Sequence, residues 1–431
     1  MKSKRRSISG LLALLFFASL LSCSQAQDKP LKPRVLISSD IGGTDPDDFQ
    51  SMIHLLMYAD KFQIEGLVSS PYGEGNTQNF QDMIDLYEKD YSQLLSHAPE
   101  LPTPQSLRKI TKQGQKDAAP FKGYTSPTEG SEWIITCAKK ESKQPLWVLV
   151  WGGIEDLAQA LHDAPEIKEN IRVYWIGGPN KKWSINAYSY IAEHHPDLWM
   201  IEANATYRGW FMDNDSPEDL KGEAFYENYI QDRGALGKDF INYYEGNIKM
   251  GDTPSLVYLM NGDPNNPTGG CWGGSFEKIS NSSRNVFLGG STAKDTVAAY
   301  ATIEWRFEGP EIAISADSVV FEMEVQNQTW PGYYIGNGIY GVKYSSKKPE
   351  KGSYKTSSTI PELNGLEGAY ISTIPWPGKA RPDDYQLGPN WYSDRLDPAL
   401  FIDDQQGAKT VSKYRKEFLM DWAERWKWLE K

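Results

Sequence analysis

The chain has 431 residues, with 45 Lys and Arg against 57 Asp and Glu, three Cys and five His. A net charge of −12, with no basic block beyond the first six residues, argues against recognition of a nucleic-acid backbone and against electrostatic adhesion to an anionic membrane, since both need clustered Lys and Arg. No Cys/His spacing points to zinc, and the length suggests two domains.

The N-terminus reads as an export signal. Lys2, Lys4, Arg5 and Arg6 precede an apolar stretch from Leu11 to Leu21 that is too short to span a membrane. It closes on Leu20-Leu21-Ser22-Cys23, which resembles a bacterial lipobox; residues 1–22 are then removed and Cys23 carries lipid. An ordinary signal peptide cleaved near Ala26 is the alternative. Removing residues 1–22 takes away four positive charges and no negative one, so −12 becomes −16. The expected location is the cell envelope, with the membrane reached through the lipid alone. Cys137 and Cys271 remain, as buried thiols or as one disulfide.

From residue 31 to 283 short apolar runs alternate with helical patterns. The runs cover 34–38, 63–70, 146–150, 172–176 and 198–201, and helices are expected over 47–57, 77–95, 155–162 and 187–193. This rhythm predicts an α/β fold: an open, mostly parallel sheet with helices on both faces. Between 284 and 388 the pattern changes to period two, most clearly in Val319-Val-Phe-Glu-Met-Glu-Val325, and predicts an all-β immunoglobulin-like sandwich. Residues 389–431 end in a Trp-rich helix expected to pack back on the α/β domain, which makes the β unit an insertion; a domain appended at the C-terminus is the alternative.

The turn after the first run is the main site signal. Asp40-Ile-Gly-Gly-Thr-Asp45-Pro-Asp47-Asp48 places four carboxylates within nine residues, at the strand end where open α/β sheets bind ligands. Such carboxylates repel one another unless a cation neutralises them, and an all-oxygen set favours Ca²⁺. A solvated turn that caps the following helix is the plain alternative. Further segments follow other runs: Gly75-Asn76, Gly152-Gly153-Ile154-Glu155, Gly177-Gly178-Pro179-Asn180 with Asn186 beyond it, and Gly251-Asp252-Thr253-Pro254. Asp252 reads equally well as a helix N-cap.

Together these segments, with Trp272-Gly273-Gly274, resemble the nucleoside hydrolase superfamily, and within it the divergent nucleoside-hydrolase-like domains of cellulose-binding-type proteins. The resemblance implies Ca²⁺ held by Asp40, Asp48, Asp252 and a backbone carbonyl at Ile154 or Glu155. It implies Asp40 as the base that activates water, with Asp47, Asn76, Asn186 and Trp272 facing the substrate. The activity implied is hydrolysis of a glycosidic bond, an N-glycosidase reaction on a nucleoside or another sugar conjugate, including a polysaccharide. Two departures matter: the turn is longer, so Asp45 competes with Asp40 for its roles, and Gly251 stands where the family has a His that helps the base depart. The alternative is a carbohydrate-binding surface lipoprotein without turnover, using Trp330, Tyr333 and Tyr334 as sugar platforms unless they are core residues. Homo-oligomerisation stays open.

Overall fold

The computed structural model describes residues 31–70, 72–212 and 216–430. The signal segment and Cys23 lie outside the described residues. From Pro33 onward the chain is one compact unit containing two eight-stranded sheets.

The first sheet is built from β1 (Arg34–Ser39), β2 (Gln63–Ser69), β3 (Thr111–Gln113), β4 (Leu146–Trp151), β5 (Ile171–Ile176), β6 (Met200–Ala203) and β7 (Phe276–Lys278), together with a late strand at Trp391–Asp394. Its order is β3-β2-β1-β4-β5-β6, then the late strand, then β7; every pairing is parallel except that of β7. β1 and β4 are buried along their whole length, as continuous apolar runs covered on both faces should be. Helices fill the crossovers at Asp47–Met57, Thr77–His97, Glu129–Ala138, Glu155–Asp163 and Ile185–His194. The sheet splits two apolar cores: one around Ile53, Leu56, Trp151 and Trp422, the other around Val148, Leu157, Trp175 and Ile191. The order reverses between β1 and β4, which opens a crevice at their carboxyl ends.

The second sheet begins after the short β8 (Asn281–Ser282) with β9 (Arg284–Leu288), β10 (Thr296–Ala298), β11 (Thr302–Glu308), β12 (Val319–Val325), β13 (Gln328–Gly336), β14 (Ile339–Tyr344), β15 (Glu350–Ser358) and β16 (Glu367–Thr373). It is hydrogen-bonded as one continuous sheet in the order β10-β16-β15-β12-β13-β14-β11-β9, rather than as two separate leaves. Inward residues of seven of these strands, from Val297 to Tyr370, share one core, so the sheet curls around its own apolar face. Trp330, Tyr333 and Tyr334 are at most 6% exposed. They are core residues, not sugar platforms.

β17 (Tyr385–Gln386) pairs with β8, and the late strand, now β18 (Trp391–Asp394), enters the first sheet between β6 and β7. Asp394 at its end accepts hydrogen bonds from the backbone N–H groups of Asn204, Ala205 and Thr206, which fixes the turn after β6. The Arg415–Trp426 helix then lays Phe418, Leu419, Trp422 and Trp426 into the core that contains Ile53 and Tyr58. Cys137 and Cys271 are both buried free thiols, and burial pushes each up to about 11.

Candidate active site

The acidic turn leaves β1 at the crevice. Gly43 N–H closes it onto the Asp40 carbonyl at 2.8 Å, and Pro46, not an aspartate, is the N-cap of the helix that follows. Asp47 and Asp48 therefore occupy the first helical turn, where the helix dipole favours negative charge. Asp48 accepts a hydrogen bond from Ser39 Oγ, and Asp47 Oδ2 accepts one from Gly251 N–H at 3.1 Å. The second bond ties the turn to the segment that carries Asp252.

Asp252 stands at the start of the short Thr253–Val257 helix, yet its side chain makes no capping hydrogen bond. Its Oδ2 is buried without any partner. One oxygen from each of Asp47, Asp48 and Asp252 lies within 4.8 Å of the others. Burial first, and then a neighbouring carboxyl (Asp45 for Asp47, Asp40 for Asp48, Asp48 for Asp252), drives all three well above the usual carboxylate range. Asp40 adjoins Asp48, and burial together with Asp47 pushes it up to about 8. A cluster of this kind is stable either protonated or neutralised by a cation. Oxygen-only donors and an orphaned carboxylate oxygen fit a hard divalent ion, and Asp47, Asp48 and Asp252 are the residues to hold it.

Asp45 is the exposed member of the turn; against some desolvation, hydrogen bonds from Asp47 hold it below the usual range. Asp40, beside Asp48, and Asp45, hydrogen-bonded to Asp47, thus both flank the trio.

The carboxylates floor a cleft of about 480 Å³. Tyr72, Trp151, Asn180, Trp183, Tyr207, Arg208 and Lys249 line it as well, and Gln328 and Lys347 come from the all-β unit. The close approach of β1 and β4 needs Gly152, since a Cβ there would stand 2.5 Å from Asp40 Cγ.

Three side chains expected at the site, those of Asn76, Asn186 and Trp272, make their hydrogen bonds elsewhere. Asn76 caps the Thr77–His97 helix, its Oδ1 accepting from Gln78 N–H at 2.8 Å. Asn186 donates to the Ala119 carbonyl at 2.9 Å, and it is Asn180 that lines the cleft. Trp272 packs against the core beside the C-terminal helix, with Nε1 3.3 Å from Glu417. Glu155 turns its carboxylate to Ser184 Oγ at 2.7 Å and to the Tyr72 hydroxyl at 3.0 Å, outside the acidic trio, and burial raises it to about 7. The Ile154 carbonyl accepts the Ala158 N–H at 3.0 Å as the first bond of the Glu155–Asp163 helix. Arg208 and Lys249 carried no sequence signal beyond following β6 and preceding Gly251. Gln328 opens β13 and Lys347 sits in the turn after β14, both far along the chain from the acidic turn.

Residues 34–276, more than half of the chain, match the family model described as cellulose-binding Sde182, nucleoside hydrolase-like domain. The chain belongs to this family. In the Sde182-type chain a second match, residues 296–359, falls on a domain of unknown function (DUF5060) within the all-β unit. Similar solved structures include a nucleoside hydrolase-related hypothetical protein from Saccharophagus degradans associated with carbohydrate metabolism, at 18% identity over 80% of this chain and 100% of that one, with a TM-score of 0.48. The inosine-uridine preferring nucleoside hydrolase of Bacillus anthracis is 14% identical over 59% of this chain and 87% of its own, with a TM-score of 0.37. The purine-preferring ribonucleoside hydrolase of Gardnerella vaginalis is 14% identical over 58% and 84%, with a TM-score of 0.33. Among curated proteins none matches the chain.

Proposed function

We propose that this chain is a Ca²⁺-dependent hydrolase of a glycosidic bond, acting on a nucleoside or another sugar conjugate at the cell envelope. The observation that carries this reading is the buried, unpartnered Oδ2 of Asp252 beside Asp47 and Asp48 at the floor of an open cleft. A bound cation supplies acidification of a water and ligand positions for sugar hydroxyls. Asp40 adjoins Asp48 and faces the same cleft, so it takes the proton of the attacking water. The crowded carboxylates stabilise positive charge developing on the sugar, which glycosyl transfer to water requires. Trp151, Trp183 and Tyr207 wall the cleft against bulk solvent.

Gly251 narrows the choice of leaving group. A Cβ there would stand 2.3 Å from Asp47 Oδ2, so no side chain fits while Asp47 keeps its place. A purine that needs an acid at this position is disfavoured, and an aglycone that departs without one is favoured. The same glycine is what supports the second reading, a carbohydrate-binding surface lipoprotein without turnover. Export and the lipid on Cys23 belong to the proposal, and a Cys23→Ala variant that still incorporates labelled fatty acid would contradict the anchor.

The test is turnover of nucleosides and nitrophenyl glycosides by calcium-loaded protein, beside Asp40→Asn. Loss of about 10²-fold or more in Asp40→Asn with calcium binding retained is expected for a general base. Calcium and sugar binding with no turnover of any substrate would select the second reading.

A further inference from the structure

The floor of the cleft is acidic, but its rim is not. Arg208, Lys249 and Lys347 all line it, and among the described residues none of the three forms an ion pair. Lys249 lies with its ammonium 4.3 Å from the Phe211 ring and acts on Asp45 and Asp47 only through longer-range attraction. Arg208 is half-buried against Tyr207, and its Nε is buried without a hydrogen-bond partner. Lys347 is exposed at the cleft edge, in the turn between β14 and β15. Neither Arg208 nor Lys347 is among the charges that weigh most on the four carboxylates, so floor neutralisation does not explain them.

The all-β side brings a further cation close to the cleft. Lys182 donates to Gln328 Oε1, a residue of the cleft, and packs over the Trp183 and Trp330 rings. Burial, and then Lys347, pushes its ammonium down to about 8 against the pull of Glu350. A neutral sugar answers to the acidic and aromatic lining and brings no charge of opposite sign to these cations.

We propose that the cleft takes a sugar bearing an anionic group, phosphate or carboxylate, held by Lys347 of the all-β unit and by Arg208 and Lys249 of the α/β unit while its hydroxyls face the carboxylate floor. The proposal rests on the reading of this cleft as the substrate site. It gives the all-β unit a part in specificity, because Lys347 comes from that unit. Charge-assisted hydrogen bonds to such a group are the strong kind, and an arginine can grip it with two parallel donors.

The test is titration calorimetry with matched probes: ribose and ribose 5-phosphate, glucose and glucuronate, and glucose 6-phosphate. Each is run on calcium-loaded protein and on protein stripped with EDTA, so that calcium held by the probe itself is separated from binding by the cleft. The anionic probes are expected to bind about tenfold or more tighter than their neutral parents, with a preference that weakens as salt is raised. Ribose 5-phosphate and glucose 6-phosphate ahead of glucuronate identify a phosphate ligand; the reverse identifies a carboxylate. Lys347→Gln, an exposed change, is expected to remove most of the preference while calcium binding is unchanged, and Arg208→Gln checks the α/β side. Equal binding of neutral and anionic probes, or a preference that survives both substitutions, overturns the proposal. Calcium binding without an anion preference leaves the hydrolase reading standing; an anion preference without calcium binding does the opposite.

Discussion

Asp252 is the residue on which the site turns. Its sequence context suits a helix N-cap, yet its carboxylate caps nothing and keeps one oxygen buried and unpartnered. Removing that charge should help the metal-free fold and abolish the metal's contribution. Asp252→Asn is therefore expected to melt above wild type in EDTA and to gain nothing from calcium, as thermal denaturation would read; a variant that melts lower in EDTA would contradict a strained cluster. The pH dependence has a definite sign. A carboxyl raised from 3.8 to about 8, as in Asp40, keeps its proton in the folded chain where the unfolded chain has lost it. Metal-free stability is then full below about pH 4 and falls as pH rises through 8. Calcium should stabilise more at pH 8 than at pH 5, because binding needs the protons gone. An equal melting-temperature gain at both values would argue against these carboxylates as ligands. Gly152→Ala places a methyl against Asp40 and is expected to lower turnover more than calcium affinity, measured side by side.

Elements with local signals were legible in the sequence. The Asp47–Met57 helix and β12 fall where their periodicities put them, because each pattern is set by neighbours three or two residues away. β18 was not legible: Trp-Tyr-Ser-Asp has no periodicity of its own and is a strand only because β6 and β7 flank it. The same limit applies to the cleft. The carboxylate turn announced itself by density, whereas Asn76 proved to be a cap because a Gly-Asn pair before a helix serves capping as readily as binding. The Arg415–Trp426 helix gives the prediction at this scale. Trp422 is fully buried, 5.4 Å from His54 and 5.7 Å from Phe225 between ring centroids. Trp422→Ala is expected to cost about 3–5 kcal/mol in denaturant unfolding. Little change would mean that this helix is not part of the core.

At the scale of the molecule, the two sheets meet where the cleft opens. Trp183 of the α/β unit packs on Trp330 of the all-β unit at 4.9 Å between ring centroids, and Lys343 of β14 donates to the Phe121 carbonyl at 2.9 Å. The all-β unit thereby becomes a wall of the site, a role that no local pattern in residues 284–388 discloses. The chain finishes the first sheet only after the second is complete, since β18 follows β16. The carboxylate cluster and the whole lining of the cleft thus belong to one folded unit, and the proposed activity depends on whether that cluster takes a cation. Calcium titration of the lipid-free chain by calorimetry, wild type beside Asp48→Asn and Asp252→Asn, tests this most directly. Saturable binding of one calcium per chain, lost in both variants, is the expected result; a wild-type chain that binds no calcium, or variants that bind as the wild type does, would contradict it.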